Sequence, residues 1–337
     1  MDDTGPPTLA DLAPAPFVPR APWWGGDLQT MRNYLLRDRL PPGHETERLI
    51  LPLGDGSGDQ LAAALNRPVR LRPRAPLVIL IHGLSGSEQS CNVQRSATSL
   101  LELGYPVLRL NLRGAGPSRP LSRYQYHAGR TADLDMALAA LPRDILANGV
   151  AAVGFSLGGN MLLKFLGERG AAQPIRAAVS VSAPIDLAAC ARRMLRWRNF
   201  AYQAYLLRDM RIEALTSASE LTAREKTALR ETRSIWDFDH NFTAPRNGFA
   251  GAEDYYAKNG AQAFLDGIKV PTLVIHAQDD PWVPPGAYLG YDWKRNAAIV
   301  PLLPERGGHV GFHGSDRQAS WHDVTIARFF DALFNRP

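Results

Sequence analysis

The sequence predicts an α/β domain, with a mostly parallel sheet covered by helices on both faces. Three observations carry this. From about residue 47, short apolar runs alternate with stretches of helical periodicity. Several runs, such as Leu77–Ile81 and Val150–Phe155, are apolar almost throughout, as strands buried on both faces must be. Two further strand-like runs precede the alternation and flank a Gly/Asp turn, so the sheet should carry an antiparallel edge.

Taken in order, residues 47–53 and 60–66 are the two early strands, joined through Gly54-Asp55-Gly56-Ser57-Gly58. Leu77–Ile81 is the first buried strand. Residues 93–103 form a helix, 105–110 a strand, and 130–141 a helix with apolar Leu134, Ala137, Leu138 and Leu141. Val150–Phe155 is a strand and 157–166 a helix. Residues 175–181, 270–276 and 299–303 are further strands, and 323–334 closes the chain as an amphipathic helix. Between residues 187 and 266 the rhythm breaks into an Arg-, aromatic- and Ala-rich helical stretch, too long for an ordinary connection. It reads as a helical lid over the C-terminal edge of the sheet. Residues 1–22 are Pro-rich with little periodicity and read as an N-terminal arm. Residues 23–337 then form one domain.

Composition narrows the function. A hydrophobic share of 45% and a charged share of 21% suit an ordinary globular protein of 337 residues. The net charge of +5 is modest and scattered, with no RNP or zinc-finger pattern, which argues against nucleic acid as a partner. Cys91 and Cys190 are far apart and read as buried free thiols, so neither a disulfide framework nor a metal site is expected. The N-terminus lacks the basic and apolar regions of a signal peptide, and no run is long enough to span a bilayer. A cytoplasmic protein is the expectation. Arg192, Arg193, Arg196 and Arg198 lie among Met194, Leu195, Trp197 and Phe200, which allows at most a peripheral membrane contact through the lid.

The most informative stretch is Gly154-Phe155-Ser156-Leu157-Gly158. It is G-x-S-x-G with an apolar strand before it and a helix after it, the context of a nucleophile elbow. The turn projects the Ser156 hydroxyl, the glycines clear space for close backbone approach, and the helix start offers free N–H groups to a developing oxyanion. His82-Gly83-Leu84-Ser85-Gly86 ends the buried strand at Ile81. The backbone N–H groups of Leu84 and Leu157 are therefore the expected oxyanion donors, and His82 is expected to orient its loop rather than move protons.

A serine nucleophile needs a base, and the base needs an orienting carboxylate, in the chain order Ser, acid, His. Asp279 and Asp280 follow a strand, just before Pro281-Trp282-Val283-Pro284. Adjacent side chains at a strand end point apart, so only one serves. Asp280 is the choice and Asp279 the alternative. Of the eight histidines, His309 lies in a Gly-rich loop between the last strand and the last helix, which frees its ring to reach Ser156. His313 and His322 compete less well. Asp239, His240 and Asn241 are candidates for lining a pocket from the lid.

These motifs give the chain a resemblance to the YheT-like branch of α/β-hydrolases, which includes abhydrolase domain-containing proteins 1 and 3. It extends to Trp23-Trp24-Gly25-Gly26-Asp27-Leu28-Gln29-Thr30, to Asn111-Leu112-Arg113-Gly114-Ala115-Gly116-Pro117-Ser118, and to the span from Phe238-Asp239 to Asp280. The resemblance implies an α/β-hydrolase fold with the triad Ser156, Asp280 and His309. It implies hydrolysis of carboxylic esters, short- or medium-chain or monoacylglycerol-like, with no cofactor. With no N-terminal apolar anchor in view, a phospholipid substrate fits less well. Acyl transfer, thioester or amide cleavage would use the same triad. A catalytically silent binding module is disfavoured by the complete Ser–Asp–His order.

Overall fold

The computed structural model describes residues 14–36, 45–218, 220–315 and 319–334. The first thirteen residues of the Pro-rich arm lie outside them. Eight strands form one sheet: β1 (Thr46–Pro52), β2 (Gln60–Asn66), β3 (Leu77–Ile81), β4 (Val107–Leu110), β5 (Val150–Phe155), β6 (Ile175–Val181), β7 (Thr272–Ile275) and β8 (Ile299–Leu302). Their spatial order is β1-β2-β4-β3-β5-β6-β7-β8. β1 pairs with β2 and β2 with β4 in antiparallel fashion, while every other pairing is parallel. The fold class and antiparallel edge expected from the sequence are both present. The fourth strand starts at Val107 rather than 105, because Pro106 has no N–H to give to a ladder.

Alternation within the buried strands builds two cores. Leu77, Ile79 and Ile81 of β3 face one side of the sheet with Ala152 of β5. There they meet α3 (Ala132–Ala140) and α4 (Leu157–Arg169). Val78, Leu80, Ala151, Val153 and Phe155 face the other, against α2 (Cys91–Glu102) and the C-terminal α10 (Trp321–Phe334). Both faces are covered, which is why these strands read as continuous apolar runs.

No periodicity in the sequence points to α1 (Gly26–Leu35). Its buried residues are polar, namely Gln29, Thr30 and Arg32, while Leu28, Met31 and Leu35 are exposed. A helix that hides hydrogen-bonding groups instead of an apolar stripe leaves no amphipathic signal. Between β6 and β7 lie α5 (Leu187–Met194), α6 (Phe200–Leu215), α7 (Ala223–Glu231), the short α8 (Ile235–Phe238), a π-helical turn at Asp239–Thr243, and α9 (Ala252–Asn259). In the Arg-rich stretch, Arg192 and Arg196 are exposed, Arg193 donates to the Pro281 carbonyl, and Arg198 pairs with Asp27 of α1. Among the described residues, no helix is long and apolar enough to cross a membrane. Both cysteines are free, but each is half-buried rather than buried; Cys190 borders a cavity.

One buried cation ties the antiparallel edge to the main sheet. Arg113, just after β4, is fully buried and reaches Asp55 and Asp59 from the β1–β2 turn (2.7 and 2.9 Å) and Asp133 of α3 (2.7 Å). Ser118, near it in sequence, accepts the Ala62 N–H of β2 and donates to the Asn111 carbonyl. Removing the guanidinium would leave Asp59 buried without a counter-charge and Asp133 with only the more distant Arg130, at 3.5 Å. Arg113→Met is therefore expected to destabilise the fold by about 3–5 kcal/mol in denaturant unfolding at neutral pH. A loss below about 1 kcal/mol would show that water or rearrangement replaces the guanidinium.

Candidate active site

β5 ends at Phe155 and α4 begins at Leu157, so Ser156 alone makes the turn. Its backbone adopts φ 51° and ψ −121°, a conformation unfavourable for a residue with a Cβ. The neighbours enforce it. A Cβ on Gly154 would overlap the Gly158 carbonyl, and one on Gly158 would overlap the carbonyls of Ile81 and His82. The Ser156 N–H is held by the Val181 carbonyl of β6 at 2.8 Å.

Two loops bring the other predicted residues to this turn. His309, in the loop after β8, sets its Nε2 2.9 Å from Ser156 Oγ. Its Nδ1 lies 2.8 Å from Asp280 Oδ2, in the loop after β7. Asp280 is buried, and its Oδ1 accepts the N–H groups of Trp282 and Val283 at 2.8 and 2.9 Å. Burial alone would raise the Asp280 pKa, but the His309 ring, then His276 and the Val283 N–H, outweigh it and hold the carboxyl below its usual range. The Trp282 indole covers the His309 ring at 4.4 Å between centroids. Asp279 does not reach the imidazole; its Oδ1 accepts the Gly308 N–H at 2.8 Å and fixes the histidine loop.

Leu84 and Leu157 flank Ser156, and among the described residues neither backbone N–H is engaged by the protein. His82 is fully buried, with Nε2 accepting the Leu112 N–H and Nδ1 donating to the Gly83 carbonyl. Burial lowers its pKa to about 4, so it stays neutral and shapes its loop. His313 and His322 are buried away from Ser156, and His276 stacks on Tyr288 at 4.0 Å.

Two groups of positioning residues escaped the sequence reading. The first is α1, which clamps the histidine loop. Thr30 Oγ1 accepts the His309 N–H at 2.8 Å and donates to the Gly26 carbonyl at 2.7 Å. Gln29 accepts the His313 N–H at 2.7 Å and donates to the His313 carbonyl, and Asn33 donates to the Val310 carbonyl. These contacts hold Val310 and Phe312 at φ 53° and 49°. The Trp23–Thr30 motif marked this segment, but its task is visible only in three dimensions. The second group is Tyr126 and Glu213. Tyr126 Oη accepts the Ser85 N–H at 2.7 Å, beside the free Leu84 N–H, and donates to Glu213 of α6 at 3.2 Å. No sequence motif pointed to either residue.

Two cavities meet at Ser156 and His309. One is apolar, with Leu187, Met194, Leu206, Met210, Ile235 and Phe238 in its wall, all from the helical segment between β6 and β7. The other is more polar and includes Asn33, Ser85, Gln89, Ser90 and Asn92. Of the three lid candidates, Asp239 lines the apolar cavity, whereas His240 and Asn241 are exposed. Among the described residues, no group of three or more His, Cys, Asp or Glu side chains could hold a metal ion.

Burial raises the Glu213 pKa to about 7, with Arg119, Tyr126 and Ser85 pulling against it. In the unfolded chain a glutamate ionises near pH 4.3. Between those values the unfolded state holds the fewer protons, so stability falls as pH rises, by about 3 kcal/mol from this group. Glu213→Gln should flatten that slope in urea unfolding at pH 5 and pH 8. Equal slopes in the two proteins would refute it.

A family model described as the alpha/beta hydrolase fold matches residues 76–316. The Escherichia coli protein YheT is 35% identical over 306 residues, covering 89% of this chain and 88% of YheT. The Saccharomyces cerevisiae protein named medium-chain fatty acid ethyl ester synthase/esterase 2 is 29% identical, over 76% of this chain and 62% of the yeast protein. An esterase of Pyrococcus furiosus has the same fold, with a TM-score of 0.58 at 16% identity, over 98% of this chain and 97% of that one. The chain belongs to the α/β-hydrolase fold family, in the branch of ester hydrolases that includes YheT.

Proposed function

We propose that Ser156, His309 and Asp280 are the catalytic triad of a serine hydrolase that cleaves carboxylic esters through an acyl-enzyme. The observation that carries this reading is the unbroken chain from Ser156 Oγ through the His309 ring to Asp280 Oδ2, with bonds of 2.9 and 2.8 Å. As the Ser156 hydroxyl attacks the ester carbonyl, His309 Nε2 takes its proton. The oxyanion receives the N–H groups of Leu84 and Leu157, each such donor contributing about 3–4 kcal/mol in the transition state. His309 then protonates the departing alcohol, and a water deprotonated by the same ring releases the acid. Asp280 fixes Nδ1 as the protonated nitrogen and stabilises the imidazolium.

The two cavities give the ester a direction. The acyl chain lies in the apolar cavity, most of whose wall comes from residues 187–266, so this segment acts as a lid that sets chain length. The alcohol leaves through the polar cavity. This suits short- or medium-chain acyl groups on small or glycerol-like alcohols. A second reading replaces water by an alcohol as acyl acceptor. The polar cavity could seat one, and the yeast relative is named for both ester synthesis and hydrolysis.

A fluorophosphonate probe should label the wild type and not Ser156→Ala, and 4-nitrophenyl esters of increasing chain length should be hydrolysed by the wild type alone. An unlabelled wild type sinks the reading. Thr30→Val, which removes the acceptor for the His309 N–H, should lower kcat about 10- to 100-fold with KM little changed, since a misplaced base costs rate rather than binding. A Thr30→Val enzyme with wild-type kcat would show that the α1 clamp does not position the base.

A further inference from the structure

The apolar cavity beside Ser156 holds a carboxylate whose partners are neutral. Asp239 lines that cavity and is 8% exposed. It opens the π-helical turn Asp239–Thr243. Such turns are rare and concentrate at functional positions. Its Oδ2 accepts the Tyr256 hydroxyl at 2.7 Å, and the Thr243 hydroxyl is its other donor. Among the described residues no ion pair reaches it. The cation nearest in the wall, Arg246, pairs with Glu225 at 2.7 Å and lies over the Phe242 ring.

A buried carboxylate with no counter-cation is costly to a fold, and an apolar residue in its place would be cheaper. Burial raises its pKa to about 6, so it remains ionised at neutral pH. An ionised carboxylate accepts about four hydrogen bonds, and two hydroxyls leave part of that capacity open. Apart from Glu213, which Ser85 and Tyr126 engage, most of the wall that this carboxylate borders is apolar and suited to a hydrocarbon chain. A purely aliphatic chain would strip the carboxylate of water and offer nothing in return.

On the esterase reading above, we propose that Asp239 recognises a hydrogen-bond donor on the substrate's acyl group. The preferred esters then carry a hydroxyl or an ammonium on an otherwise apolar acyl chain. The same chemistry serves both donors, and the test separates them. A competing role is purely structural, in which Asp239 only ties the π turn to α9 through Tyr256. That role makes no distinction between plain and substituted chains.

The experiment compares 4-nitrophenyl octanoate with its monohydroxy analogues, the hydroxyl placed at each position that does not lactonise, and with an amino analogue. The wild type should show a kcat/KM at least about tenfold higher for one substituted ester than for the plain one. Asp239→Leu should lose that preference and turn over the plain ester faster. Tyr256→Phe removes the structural tie but keeps the carboxylate, and should retain the preference. Calorimetry on Ser156→Ala with octanoic and hydroxyoctanoic acids reads the same preference without turnover, and serves if Asp239→Leu fails to fold. A wild type that favours the plain chain at every position, or an Asp239→Leu enzyme that keeps the preference, overturns the proposal. Absence of any ester turnover or probe labelling would instead overturn the esterase reading, so the two failures are distinct.

Discussion

A single residue, Ser156, joins a strand buried on both faces to a helix packed against the same sheet. That one-residue turn is the constraint from which the rest follows. It requires a backbone that a residue with a Cβ resists, so the surroundings must forbid the alternatives. They do so with glycines at 154 and 158, whose missing side chains allow carbonyls from β3 and α4 to press close. They also do so with the β6 carbonyl that takes the Ser156 N–H. The resulting geometry sets the half-buried Ser156 against the two cavities and leaves the Leu157 N–H unpaired among the described residues at a helix start, where partial positive charge collects.

Everything that approaches Ser156 comes on a loop, and each loop is held by something outside itself. Asp280 is fixed by two N–H groups of its own loop, and Asp279, its neighbour, holds the histidine loop instead. Adjacent acids with opposite orientations thus divide two tasks. α1 supplies Gln29, Thr30 and Asn33 to the loop carrying His309. Glu213 and Tyr126 fasten the loop carrying Leu84, and Glu213 belongs to the helical segment that also walls the apolar cavity. The candidate site gathers three side chains, but its geometry is held by residues spread widely along the chain.

The apolar cavity is not uniformly apolar. Glu213 and Asp239 both border it, and burial raises the pKa of each. Glu213 is accounted for by Tyr126 and Ser85, beside Leu84, and by Arg119. Among the described residues the partners of Asp239 are hydroxyls, and it faces the same space. This asymmetry sets it apart from Glu213.

The sequence by itself determined the sheet, because strands buried on both faces need continuous apolar runs, and Leu77–Ile81 and Val150–Phe155 are such runs. It also marked the turn at Ser156 and the loops that carry Asp279-Asp280 and His309, since G-x-S-x-G and the motifs around those loops are local patterns. It could not choose between Asp279 and Asp280 except by weighing neighbours; the direction of two adjacent side chains depends on what each loop packs against. It was silent on α1, which buries amides and hydroxyls rather than an apolar stripe, and on Tyr126 and Glu213, whose partners lie 41 and 128 residues from Ser85's side of the contact. Hydrogen bonds between such distant segments leave no periodicity to read. Only the tertiary structure decided them, because only there do groups far apart in the chain come within bonding distance.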